Sequence, residues 1–139
     1  MISVTDERSL HDLYIAERES LTLVDVDPKV YAQIREVVAA LEDDAGLRQG
    51  LDPDGIMTQG AVDRFRRARS DARDLAAIRL RKIADAAERD AIGHPSIDID
   101  PLPMEDIRLY NGVKQATQRY LEEVETGLMW VDGRQVVIP

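Results

Sequence analysis

Apolar residues recur at helical spacing in four separate stretches of this chain, and the pattern changes only at its C-terminal end. In the first stretch, 6–20, Leu10, Leu13, Tyr14 and Glu17 share one face by i, i+3, i+4, i+7 spacing. Thr5 is the expected N-cap, with Asp6 and Glu7 in the first turn, where carboxylates suit the positive end of the helix dipole. Leu21, Leu23, Val24 and Val26 then predict a short extended segment packed on the core. Asp27-Pro28 signals a second helix, expected to run to Asp43 with Val30, Tyr31, Ile34, Val37, Val38 and Leu41 as its apolar stripe. Gly46, Gly50 and Asp52-Pro53-Asp54-Gly55 predict a long loop over 44–57, with room for a short helical turn.

The third helix, 58–92, contains no proline, and no glycine after Gly60. At 1.5 Å per residue it would extend roughly 45–50 Å. Val62, Phe65, Ala72, Ala76, Ile83 and Ala86 trace a heptad-like line that also holds Arg69 and Arg79. Leu75, Ile78 and Leu80 widen the apolar surface, so the helix is expected to pack on more than one neighbour. Gly93-His94-Pro95 ends it, and 96–102 is a connector. The last helix, 103–126, has Met104, Ile107, Tyr110, Val113, Thr117, Tyr120, Leu121 and Val124 as its inward stripe and Gly127 as terminator. Gly112 inside it costs about 1 kcal/mol relative to alanine. Met129-Trp130-Val131, Asp132-Gly133 and 134–138 read as a β-hairpin with a two-residue turn. A lone hairpin is marginal in water, so it must pack, pair with another chain or belong to a further domain. The expected architecture is all-α: about four helices, one of them long and central, with a short β-hairpin tail. One helical domain spans 1–127, and 128–139 is a tail or part of a small β domain.

Composition narrows the chemistry. The 139 residues suffice for one domain that buries roughly two-thirds of its unfolded surface, with no metal or disulfide staple needed. There is no cysteine, which removes disulfides, thiolate metal sites and cysteine nucleophiles and fits a reducing cytosol. The N-terminus has no signal-peptide pattern, and no apolar run approaches a membrane span, so the chain reads as cytoplasmic with no membrane partner. The histidines, His11 and His94, are far apart and form no H-x-x-x-H, H-E-x-x-H or Glu-x-x-His motif. No glycine-rich loop carries a phosphate-binding lysine. Glu17, Glu19, Glu42, Asp43, Asp44, Asp98 and Asp100 read as solvated charges and caps. No catalytic, cofactor or metal residue is therefore expected.

Acidic residues outnumber basic ones 27 to 18, for a net charge of −9. Against that background, Arg64, Arg66, Arg67, Arg69, Arg73, Arg79, Arg81 and Lys82 crowd the long helix. One reading is a nucleic-acid-binding module whose Arg64, Arg66, Arg67 and Arg73 contact phosphates. The other is pairing with carboxylates on neighbouring helices or subunits. Bulk acidity and the scarcity of aromatic residues, at 4%, favour pairing.

Three local patterns carry a resemblance. The first is Leu13-Tyr14-Ile15-Ala16-Glu17-Arg18-Glu19-Ser20 with Leu21 and Leu23. The second is Val26-Asp27-Pro28-Lys29-Val30-Tyr31, and the third is Ile78-Arg79-Leu80-Arg81-Lys82-Ile83-Ala84. In that order and spacing the chain, from Leu10 to Val124, resembles the helical domain of archaeal GINS subunits of the class whose helical domain comes first. The resemblance implies a non-enzymatic part of a tetrameric assembly, made with itself or a second GINS subunit. That assembly bridges the MCM helicase to a RecJ-like partner at the replication fork, which would place the chain at the nucleoid. It also implies structural roles for Tyr14, Arg18, Glu19, Arg79, Arg81 and Lys82, with no cofactor, and beside these Tyr31, Arg69 and Ile83 are read from their places in the helical pattern as further interface or structural residues. Members of this class carry a small β domain after a linker, where this chain has only 128–139. The RecJ-like contact is thereby in doubt for this chain by itself.

Overall fold

The computed structural model describes residues 1–138, with only the backbone described at Trp130. Four helices appear in order: α1 (Glu7–Glu19), α2 (Val30–Leu51), α3 (Ile56–Ala91) and α4 (Met104–Thr126). A two-stranded antiparallel hairpin follows, β1 (Leu128–Val131) and β2 (Arg134–Val137). The all-α class, the long third helix and the terminal hairpin agree with the sequence pattern. Among the described residues no helix is long and apolar enough to cross a membrane. The chain divides into two compact units, Met1–Arg79 and the residues from Leu80 onward, and the division falls inside α3.

In the first unit, α1 is capped by Asp6 rather than Thr5. The Asp6 carboxylate accepts the Ser9 N–H at 2.7 Å, and the Ser9 hydroxyl accepts the Asp6 N–H at 3.0 Å. The Ser9 N–H first, and then the Ser9 side chain and the Arg8 charge, hold the Asp6 carboxyl below its usual value. The N-terminal residues lie beside the segment leading into α2. Ile2 and Val26 form a parallel bridge, and the Val4 N–H donates to Gln33 Oε1 at 2.9 Å. Asp27 binds both sides of this junction, accepting from the Lys29 N–H at 2.8 Å, Ser3 Oγ at 3.0 Å and Gln33 Nε2 at 3.2 Å. These bonds lower its carboxyl pKa, the Lys29 N–H most. Val4, Leu10, Leu13, Val26, Val30, Ile34, Ala68 and Leu75 form the core. Leu21, expected on the core, is 99% exposed, because the chain leaves α1 at Ser20 and only Val26 of this segment is fully buried.

The expected loop over 44–57 is mostly helix. α2 continues through Gly46 and Gly50 to Leu51, leaving a short turn around Pro53. Tertiary and side-chain bonds override the glycine penalty here. Ala45 is buried, Arg48 Nε meets Asp44 Oδ1 at 3.1 Å, and the Thr58 hydroxyl shares its proton between Arg48 O at 3.2 Å and Asp52 O at 2.6 Å. The buried seam of α3 also differs from the expected line. It passes through Ala61, Ala68 and Leu75, with Phe65 and Ala72 partly buried, so Val62, Arg69 and Ala76 stand one position off it.

In the second unit, Ile83, Ala86, Ala87, Pro103, Asp106 and Tyr110 are buried. Glu105 and Asp106 sit in the first turn of α4, and Gly127 closes the helix in the left-handed region at φ 70°. Asp132 and Gly133 both have positive φ, 49° and 77°, the turn that matches strand twist in a tight hairpin. The hairpin is anchored on α4: Gln135 Nε2 donates to Glu122 Oε1 at 2.6 Å, and the Ile138 N–H donates to Gly127 O at 2.7 Å. The inward stripe of α4 is only half covered. Ile107, Val113, Thr117 and Leu121 are partly buried, but Met104, Tyr120 and Val124 are 58%, 63% and 68% exposed.

A Cβ at Gly46 or Gly50 would meet nothing within 4 Å, and neither residue has positive φ. Replacing each with alanine is therefore expected to stabilise the chain by about 0.5–1 kcal/mol. Urea unfolding of the single and double variants would check this.

Candidate functional site

Glu17 lies at the i+7 position of the apolar stripe of α1, one turn beyond Leu13 and Tyr14. That spacing turns its carboxylate inward, and it is 0% exposed rather than solvated as expected. Arg79 of α3, 1% exposed, meets it: Nη1 donates to Glu17 Oε1 at 2.6 Å. The same Nη1 donates to the Val24 carbonyl at 3.0 Å, and Nε donates to the Tyr31 hydroxyl at 3.0 Å. The Val24 N–H donates in turn to Glu17 Oε2 at 3.2 Å. Among the described residues no buried side-chain polar atom lacks a hydrogen-bond partner. One guanidinium thus joins α1, the segment after it, α2 and α3. A residue from each of the three sequence patterns, Glu17, Tyr31 and Arg79, meets at this point.

The other residues singled out are dispersed. Tyr14 is half-buried beside the core, and the exposed Arg18 lies over its ring at 5.3 Å. Glu19 ends α1 and is exposed. Arg69, expected on the same line as Arg79, is exposed and stacks on Phe65 at 5.1 Å. In the second unit Arg81 is exposed, Lys82 is half-buried and Ile83 is buried. The expected pairing of arginines with carboxylates holds for Arg79 and for Arg64, which reaches Glu7 at 3.8 Å and Asp44 at 3.6 Å. Arg66, Arg67 and Arg73 are exposed and form no ion pair among the described residues.

Two grooves accompany these features. In the first unit a cleft of about 390 Å³ lies between α1 and α3, where His11 Nδ1 stands 3.0 Å from Asp71 Oδ2. No hydroxyl or thiol lines it, so the His–Asp contact has no nucleophile to activate. In the second unit a groove of about 540 Å³ is lined by Ile92, Thr117, Tyr120 and Leu121 together with the charged Asp85, Glu88 and Arg89. Close by, Asp90 accepts from the Tyr110 hydroxyl and pairs with Lys114 at 3.2 Å. These bonds, the Tyr110 one foremost, lower the Asp90 carboxyl pKa. Burial first, and then the Asp90 carboxylate, push the Tyr110 phenol up to about 12. Among the described residues no group of three or more His, Cys, Asp or Glu side chains could hold a metal ion. Comparison with protein-family models, curated proteins and solved structures finds no match.

Truncating one member of a buried ion pair strands the other charge. Arg79→Met is expected to destabilise the chain by about 3–5 kcal/mol. The double variant Glu17→Leu/Arg79→Met should lose less than the two single changes added together, as read by urea unfolding. For Tyr110, the folded state disfavours the phenolate. Its contribution is complete below the ordinary phenol value of 10.0 and is lost as pH rises from there to about 12. Tyr110→Phe should flatten that alkaline loss in melts recorded across the same range.

Proposed function

We propose that this chain is a non-enzymatic scaffold subunit of the GINS kind, holding the MCM helicase and a RecJ-like partner in register at the archaeal replication fork. The observation that carries the reading is the uncovered apolar face of α4. Tyr120 and Val124, one turn apart on α4, are both more than half exposed on a helix whose sequence stripe was built to be covered. Large apolar side chains grouped on one helix are suited to a protein partner. A second copy of the chain or a sister GINS subunit is the occupant this reading assigns, completing a tetramer. The resemblance gains support from Arg79, because the three patterns that carry it are joined through this one guanidinium. Tyr31, Glu17 and Arg79 then serve to hold the helices together within the subunit. The role is geometric and requires no cofactor.

Two measurements test the reading. Affinity capture of the tagged chain from its native lysate should recover MCM and a second GINS-like subunit. Recovery of neither by a folded bait removes the replication assignment. Light scattering on the purified chain should report a mass above that of the monomer. Tyr120→Glu and Val124→Glu should return it to a monomer that is still folded by circular dichroism, since both side chains face water within the single chain. A chain that is monomeric before substitution removes the self-assembly part of the reading.

A further inference from the structure

The cleft between α1 and α3 gathers basic groups in an otherwise acidic protein. Arg8 and His11 stand one turn apart on α1, and Arg64 and Arg67 stand one turn apart on α3; all four line the cleft. Two carboxylates, Glu7 and Asp71, share the lining, and each is engaged: Glu7 with Arg64 at 3.8 Å and Asp71 with His11 at 3.0 Å. Arg64 also reaches Asp44, outside the lining, at 3.6 Å. Arg8 and Arg67 are left with no ion pair among the described residues, one on each helix. Three arginines against two carboxylates give the lining a net charge of +1 with His11 neutral, in a chain of −9.

From this geometry we infer that the cleft binds a phosphate ester, gripped between the Arg8 and Arg67 guanidiniums. Forked guanidiniums match phosphate oxygens, and an already paired Arg64 and His11 hold the walls in place. The volume of about 390 Å³ lies in the range of small-ligand pockets and exceeds what a bare anion fills, so there is room for the organic part of the ester beside the phosphate. No Phe, Tyr or Trp lines the cleft and the His11 imidazole is held by Asp71, so recognition runs through the phosphate rather than through base stacking. The ester is supplied by a free nucleotide or by the backbone of a single strand.

The test is a nuclear magnetic resonance titration of the whole chain at low ionic strength with inorganic phosphate, a nucleoside monophosphate and a short single-stranded oligonucleotide. The expected result is saturable amide shifts confined to 7–11 and 64–71. Arg8→Gln and Arg67→Gln should each weaken binding about tenfold, the loss of one charged hydrogen-bond contact. Both residues are exposed and unpaired, so the variants should fold. Arg66→Gln, a change at an exposed arginine outside the cleft, should alter affinity less than about twofold. If the monophosphate binds as tightly as the oligonucleotide, the source is a free ester. If the oligonucleotide binds more tightly, the source is a strand backbone. Absence of saturable shifts with all three probes, or equal weakening by Arg66→Gln and Arg67→Gln, would overturn the inference, the latter because it marks diffuse attraction.

Discussion

Arg79 brings a permanent charge into a site with almost no water. Its guanidinium cannot shed that charge, because arginine does not deprotonate in proteins. The first unit is arranged around this constraint. Glu17 supplies the countercharge, the Val24 carbonyl takes a second bond from the same nitrogen, and the Tyr31 hydroxyl takes the bond from Nε. The Val24 N–H then satisfies the far oxygen of Glu17. An apolar core tolerates sliding of one helix along another more readily than a directional network does. A buried ion pair adds little net stability over well-packed apolar residues, and what this one supplies is a single bonded point shared by α1, the following segment, α2 and α3.

The second unit rests on different physics. Its buried set is small, with alanines on the end of α3 and Asp106 and Tyr110 on α4. The Tyr110–Asp90–Lys114 set ties the two helices, and the hairpin lies against α4 through Gln135 and the Ile138 N–H. What this unit leaves uncovered is as informative as what it buries. The stripe of α4 has the periodicity of a helix covered along its whole face, yet its C-terminal end faces water at Tyr120 and Val124. On the reading proposed above, that uncovered end is where a partner would sit.

The charges follow a similar logic. Net acidity describes the molecule at a distance, but a ligand in contact feels only the groups within a few ångströms. On α3 some arginines have their charge matched internally, Arg64, Arg79 and Arg89, and others are left to solvent, among them Arg66, Arg67 and Arg73. The cleft beside α1 is where one of that second group, Arg67, meets further basic side chains.

Much of the fold was legible in the sequence because local rules govern it. Proline-free apolar periodicity specified α3, Gly127 the end of α4, and Asp132-Gly133 the hairpin turn. Local rules failed where distant contacts outweighed them. Gly46 and Gly50 did not break α2, because Asp44, Ala45 and Arg48 held the helix through them. The seam of α3 passed through Ala61 and Ala68, since alanine contrasts too little with its neighbours to announce which side it buries. Arg79 stood out as an arginine on an apolar line, and its partner Glu17 lay on the stripe of α1, yet nothing local joined them across 62 positions. Sequence by itself determined the elements and the faces they would present, since those depend on residues a turn apart. Only the tertiary structure decided which faces met, which charges were neutralised and which were left to solvent, because pairing and desolvation depend on groups that the chain brings together from far apart.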